Sequence, residues 1–265
     1  MRAAIVRAAA ALLALSAAGC QYAAYFVRDT PRPMQVLEAR MDPYVRRSCL
    51  IVMLPGMLDG PDSFLGAGFV EDAAAASSRC DVVLADAHFG YYRDGSLRRR
   101  VASDVLYLAD QRGYEEIWLV GVSMGGLGAL LVAQEHPDLV DGVVLFAPFL
   151  GDDALIGAIE RAGGLASWEA PAGADRYDED EFDDALWGWL TGYATRADEM
   201  PPLYVGHGAD DPRAGVALLA AHLPEERHGQ VAGGHDWRTW RALWQRLLRS
   251  PPWDPRADPP SLRGS

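Results

Sequence analysis

Positive charge is scarce in this 265-residue chain: 24 Lys and Arg stand against 37 Asp and Glu, for a formal net charge of -13. A surface of that sign repels a phosphate backbone, which argues against nucleic-acid binding and otherwise serves solubility. Nucleotide signatures are missing as well. There is no G-x-x-x-x-G-K-[ST], and no G-x-G-x-x-G between a strand and a helix. Cysteine is rare, with three residues, and no Cys–His cluster has the spacing of a zinc site. No cofactor and no metal are expected. The N-terminal apolar stretch, Ala8–Ala18, is too short to span a bilayer as a helix.

What that stretch does carry is the layout of a secretory signal. Arg2 and Arg7 are basic, the middle is apolar, and small residues end it in "SAAGC" at Cys20. The cysteine after Ala-Ala-Gly resembles a bacterial lipoprotein signal, although Ala17 stands where such signals usually carry Leu. The resemblance implies that residues 1–19 are removed and that Cys20 is lipidated. Gln21 after the cysteine then fits sorting to the outer membrane, with ordinary secretion as the alternative. Residues 20–33 read as a tether. An exported chain meets an oxidising compartment. Cys49 and Cys80 each stand just before a strand-like run, "LIVML" and "DVVLA". If those strands are parallel neighbours, both thiols lie at one end of the sheet, where a disulfide fits if the Cα atoms approach within about 7 Å. Two buried free thiols are the alternative.

From residue 50 onward, apolar strand patterns alternate with helical ones. Strands are expected over Met34–Met41, Leu50–Leu54, Asp81–Ala85, Ile117–Val120, Gly142–Ala147, Leu203–Val205 and Gln230–Ala232. Helices are expected over Asp62–Ser78, Ser96–Arg112, Met124–Glu135, Ala214–His222 and Asp236–Leu248. In Ser96–Arg112, Leu97, Val101, Val105 and Leu108 share one face. This alternation implies an α/β fold, a parallel sheet with helices on both faces, over residues 34–249. Residues 151–200 break it; they are acidic and aromatic, and read as a helical lid insertion. Residues 250–265 are proline-rich and read as a tail without regular structure.

The chemistry concentrates in "GVSMGG", Gly121–Gly126. It fits G-x-S-x-G with a strand before and a helix after, the context in which a serine is lifted above a sheet on a sharp turn. A serine hydroxyl needs a general base, and the base needs an acid to orient it, in the chain order Ser, Asp or Glu, His. His235, after Gly233-Gly234 and before a helix, lies in a loop at the carboxyl end of the sheet and is the preferred base over His222 and His228. His136 reads as a helix terminator and His88 as a pocket-lining residue. Asp210 and Asp211 both come after the strand "LYVGHG", and spacing alone does not choose between them. The backbone amide of Met124 and, from "LPGMLDG", that of Met57 are the expected oxyanion donors.

Together these residues resemble the α/β-hydrolase family over roughly Leu50–Leu248. "GVSMGG" is similar to its nucleophile elbow, and "GGHDWRTW" to the histidine loop of its serine esterases. "LPGM" stands where many members have His-Gly, with Pro55 replacing the His. "GHGADD" is similar to the acid loop, whose aspartate usually falls three residues after the glycine; counted from Gly208, that selects Asp211 and leaves Asp210 second. The resemblance implies an α/β-hydrolase fold and a Ser123–His235–Asp211 triad cleaving a carboxylic ester of a small molecule or lipid. An amide or peptide substrate, and a surface binding module with a vestigial triad, are the alternatives.

Overall fold

The computed structural model describes residues 23–39, 45, 47–76, 79–171, 182–211 and 214–254. The signal segment and Cys20 lie outside them. Seven strands form one sheet among these residues: β1 (Val36–Ala39), β2 (Cys49–Leu54), β3 (Cys80–Ala85), β4 (Glu116–Val122), β5 (Gly142–Phe146), β6 (Leu203–Gly208) and β7 (His228–Val231). Their spatial order is β1-β3-β2-β4-β5-β6-β7. Only β1 runs antiparallel, along the outer edge of β3; the other described pairings are parallel.

The strands are apolar throughout because both faces are covered. Side chains alternate across a strand, so Leu50, Val52 and Leu54 enter one core while Cys49, Ile51 and Met53 enter the other. The first core lies under α4 (Leu97–Val101), α5 (Tyr107–Gln111) and α6 (Met124–Glu135). The second lies under α1 (Pro61–Gly66), α2 (Phe69–Ala75) and α11 (Trp237–Leu247), packed with Phe64, Phe69, Trp240 and Trp244. Residues 124–133 of α6 are all buried, as a helix apolar on every side requires.

Between these elements run α3 (Phe89–Arg93), α7 (Asp153–Arg161), α8 (Phe182–Leu190), α9 (Gly192–Thr195) and α10 (Ala214–Ala220). The described part of the stretch 151–200 thus holds α7, α8 and α9, with turns over residues 162–167. Trp187 of α8 is fully buried in the first core and donates its indole N–H to the Leu150 carbonyl at 2.8 Å. It fastens the stretch to the first core. No helix among the described residues is long and apolar enough to cross a membrane.

Several expectations are corrected. The helix expected over Asp62–Ser78 is two helices, because Gly68 takes a φ of 80° between them. The helix expected over Ser96–Arg112 widens into a π turn over Ala102–Leu106. That inserted residue rotates the last turns of the helix: Ala109 is buried, and Leu108, expected on the core face, is 42% exposed. The tail is anchored as far as Asp254. Trp253 is buried against Trp118 and Trp244, and its carbonyl accepts from Arg79 at 3.1 Å. Residues 23–33 are no free tether either; they are packed on the loop and helix after β3. Cys49 and Cys80 start adjacent parallel strands, directly opposite in register, and are joined by a disulfide with Cα atoms 4.3 Å apart.

Candidate active site

The turn between β4 and α6 places Ser123 at φ 51° and ψ -118°, a conformation that a residue with a side chain holds only where its surroundings fix it. Three backbone hydrogen bonds do so. Ser123 N–H donates to the Phe146 carbonyl at 3.0 Å, and the Ser123 carbonyl accepts from Gly126 and Phe149, both at 2.9 Å. The glycines have a steric cause. A Cβ on Gly121 would lie 2.3 Å from the Gly125 carbonyl oxygen, and one on Gly125 would lie 2.1 Å from that of Leu54. Helix and sheet meet there at backbone contact.

The acid and histidine loops are tied to each other in the same way. Ala209 N–H donates to Val231 at 2.8 Å, and Asp210 N–H to Gly233 at 2.9 Å. A Cβ on Gly208 would sit 2.2 Å from the Gly233 oxygen. His235 is held edge-on against Trp240, with ring centres 5.0 Å apart. Asp236 then caps α11, accepting from Thr239 N–H at 2.9 Å, a bond that lowers its carboxyl pKa.

These loops bring Ser123, His235 and Asp211 into one line. His235 Nδ1 lies 2.6 Å from Asp211 Oδ2, and Nε2 lies 2.9 Å from Ser123 Oγ. A carboxylate can only accept, so Nδ1 carries the proton and donates it to Asp211. Nε2 is left as the acceptor of the Ser123 hydroxyl. The Asp211 side chain is fully buried, whereas Asp210 is exposed. The fold therefore chooses where spacing does not.

For the oxyanion donors, Met124 opens α6 immediately after Ser123, where unpaired helix N–H groups and the helix dipole favour negative charge. The Met57 loop abuts the serine: a Cβ on Gly56 would lie 3.4 Å from Ser123 Cβ. Trp237 braces this loop from α11, donating its indole N–H to Asp59 Oδ1 at 3.2 Å. A cleft of about 600 Å³ opens beside His235 and Asp211. Its walls are Phe149, Leu150 and Ile156 together with Asp152, Asp153 and Asp183. Burial pushes the Asp183 carboxyl pKa above its ordinary value, against the pull of the Asp152 N–H it accepts.

The other histidines stand apart. His88, expected at the pocket wall, is fully buried, and its Nδ1 accepts the Gly90 N–H at 3.1 Å. It caps α3 instead. His136 ends α6, as its place before Pro137 suggests. His207, which no motif singles out, lies on β6 with Nε2 2.6 Å from Gln230 Nε2. It lines, with His228, a separate groove of about 780 Å³ that includes neither Ser123 nor His235. Tyr92 escapes sequence reasoning too, because nothing near it in the chain marks it. Tyr92 donates its hydroxyl to the Met124 carbonyl at 3.0 Å, thirty-two positions away.

Comparison with known proteins agrees with this architecture. A family model described as the alpha/beta hydrolase fold matches residues 50–165. Among solved structures, a ferulic acid esterase aligns with a TM-score of 0.54 at 16% identity, covering 78% of this chain and 86% of its own. A fluorophosphonate-binding serine hydrolase of Staphylococcus aureus aligns with a TM-score of 0.54 at 14% identity, covering 83% and 94%. A monoacylglycerol lipase of Paleococcus ferrophilus aligns with a TM-score of 0.52 at 15% identity, covering 81% and 98%. No curated protein matches the chain. The chain has the α/β-hydrolase fold, with a seven-stranded, mostly parallel sheet among the described residues.

Proposed function

We propose that this α/β-hydrolase fold carries an exported serine hydrolase that cleaves carboxylic esters through an acyl-enzyme. The observation that carries the reading is the unbroken hydrogen-bonded line from Ser123 Oγ through His235 to buried Asp211. A vestigial site has no need to keep such a line or the strained turn beneath it. Ser123 Oγ attacks the acyl carbonyl as His235 Nε2 takes its proton. Asp211 holds the imidazole in the tautomer that can accept that proton and stabilises the cation that forms. The backbone amides of Met57 and Met124 receive the oxyanion; each such donor contributes about 10²- to 10³-fold in rate. His235 then protonates the leaving alcohol, and the alcohol departs. Water, deprotonated by the same nitrogen, attacks the acyl-enzyme and releases the acid. The cleft beside His235 supplies room for an organic group of the ester.

Export, with Cys20 as the lipid anchor at the bacterial outer membrane, is the reading of the N-terminal signal pattern; the Cys49–Cys80 bond supports it, since such bonds persist in oxidising compartments. The test of the activity is Ser123→Ala. It is expected to lower kcat for a p-nitrophenyl ester by on the order of 10⁴-fold or more and to abolish fluorophosphonate labelling, with the fold retained. Turnover unchanged in Ser123→Ala, or a wild-type protein that no fluorophosphonate labels, would sink the proposal.

A further inference from the structure

Gly126 closes the stretch "GVSMGG" but has no place in G-x-S-x-G, and inside α6 an alanine would ordinarily suit the helix better. Its cause is steric. A Cβ on Gly126 would lie 2.8 Å from Pro148 Cβ and 3.0 Å from Pro148 Cα. The bare glycine lets the turn after β5 lie directly against the first turn of α6.

That turn is strained. Among the described residues, three other than glycine hold a positive φ: Leu58, Ser123 and Ala147. Ala147 is fully buried, with φ at 47°, and donates its N–H to the Gly206 carbonyl at 2.8 Å. A residue with a side chain keeps such a conformation only where its surroundings fix it. The chain that turns there clamps Ser123 by both of its backbone polar groups. The Phe146 carbonyl accepts the Ser123 N–H at 3.0 Å, and the Phe149 N–H donates to the Ser123 carbonyl at 2.9 Å.

The Ser123 carbonyl is one end of a planar peptide unit whose other end is the Met124 N–H. Donors on the oxygen fix the plane, and with it the direction in which that N–H points. They also draw electron density toward the oxygen, which leaves the N–H a stronger donor, as in any chain of hydrogen bonds. One of the two donors, the Gly126 N–H, belongs to α6 itself. The other, the Phe149 N–H, arrives from the far side of the turn and ties the peptide to the end of β5.

We propose that Phe149 is a positioning residue for the reaction: its backbone N–H holds and polarises the peptide that offers the Met124 amide to the oxyanion, with Gly126 and the left-handed Ala147 bringing it there. The inference rests on the ester-hydrolase reading above. It gives the turn after β5 a part in the rate, although none of its residues belongs to the triad.

The Phe149 side chain walls the cleft beside His235, so the test removes the N–H and spares the ring. Phenyllactic acid in place of Phe149, introduced into the full chain by nonsense suppression, puts an ester oxygen where the N–H was. Gly126 still holds the carbonyl, so the loss is a fraction of what deleting an oxyanion donor costs. For a p-nitrophenyl ester, kcat is expected to fall about tenfold with KM within about twofold. Affinity for a trifluoromethyl ketone, which Ser123 converts to an oxyanion adduct, is expected to fall by the same factor as kcat/KM. The amide resonance of Met124 is expected to move, while that of Val132, about two turns further along α6, stays in place. Wild-type kcat and ketone affinity in the phenyllactate protein, or an unmoved Met124 resonance, would overturn the proposal. Gly126→Ala, which pushes Pro148 off α6, is expected to lower kcat about tenfold or more; a fully active variant would overturn the part given to Gly126. The resonance needs no substrate. A wild type without ester turnover therefore counts against the hydrolase reading, while the Met124 amide still decides whether the Phe149 N–H governs its peptide.

Discussion

Removing the Cys49–Cys80 bond should weaken the fold and spare the chemistry. The bond closes a loop of sequence separation 31. In the chain-entropy treatment, a loop of about that length restricts the unfolded chain by about 12 cal/mol/K, or about 3.7 kcal/mol at 25 °C. For a domain of this size each kcal/mol moves the melting midpoint by about 2–4 °C, so the expected drop is about 7–15 °C. Cys49→Ala/Cys80→Ala is the direct perturbation. Both positions are fully buried, so lost packing acts in the same direction. Cys49→Ala alone breaks the same bond with one sulfur fewer removed, and separates the two effects. The bond lies at the start of β2, and the candidate site lies beyond its far end, five residues or about 17 Å along the strand. The kcat of the double variant should stay within about twofold. Melting by circular dichroism without reductant, paired with ester kinetics, checks both halves. A midpoint within about 3 °C of wild type would refute the loop-closure argument, and a kcat changed more than about tenfold would refute the claimed separation of bond and site.

Three further outcomes are expected from the geometry. Asp211→Asn should lower kcat on the order of 10⁴-fold by inverting the His235 tautomer, whereas Asp210→Asn, at an exposed carboxylate, should stay within about twofold; equal losses would contradict the assignment. Gly125→Ala sets a Cβ 2.1 Å from the backbone oxygen of Leu54, which no side-chain rotation relieves, so folding yield should collapse or kcat fall at least about 10²-fold; a stable, fully active variant would disprove the contact. Acid stability should depend on His88, whose pKa is lowered by burial first and by Arg28 and Arg93, against the pull of Asp86 and the Asp29 backbone. Above about pH 6.5 both folded and unfolded states leave it neutral; as pH falls below that value the unfolded chain takes up a proton that the fold refuses, and stability declines by up to about 1.4 kcal/mol per pH unit until the folded pKa is passed. His207, lowered by burial as well, acts with the same sign. His88→Gln should flatten this slope in urea titrations between about pH 6.5 and 5, and an unchanged slope would count against the account.

How much of the molecule is legible in its sequence depends on whether the cause is local. The serine turn is legible because its glycines record a steric contact at fixed spacing, and β2, β3 and β4 because strands buried on both faces read as continuous apolar runs. Asp211 and His235 can be placed on loops at the carboxyl end of the sheet, but only packing distinguishes Asp211 from its exposed neighbour. The π turn is illegible because apolar residues at helical spacing describe an unbroken α-helix equally well. Burial of Ala109 in place of Leu108 is the sole trace of the extra residue, and it exists only in three dimensions. The packing of residues 25–33 on the loop and helix after β3 is illegible for a different reason. Its partners Asp86, Phe89 and Asp94 lie 58 to 64 positions downstream, and a stretch such as "YFVRDTPRP" carries no periodicity of its own.

The contact between Gly125 and Leu54 has a mechanical consequence. The same strand that ends at Leu54 continues into the loop bearing Met57, so the proposed nucleophile turn and the proposed oxyanion loop meet at one backbone contact. A shift of that strand would carry both together and preserve their mutual aim. Of the cleft walls, Phe149 is tied to the serine turn through its N–H on the Ser123 carbonyl, whereas Ile156 stands on α7, where a change of side chain would reshape the cleft without touching that bond.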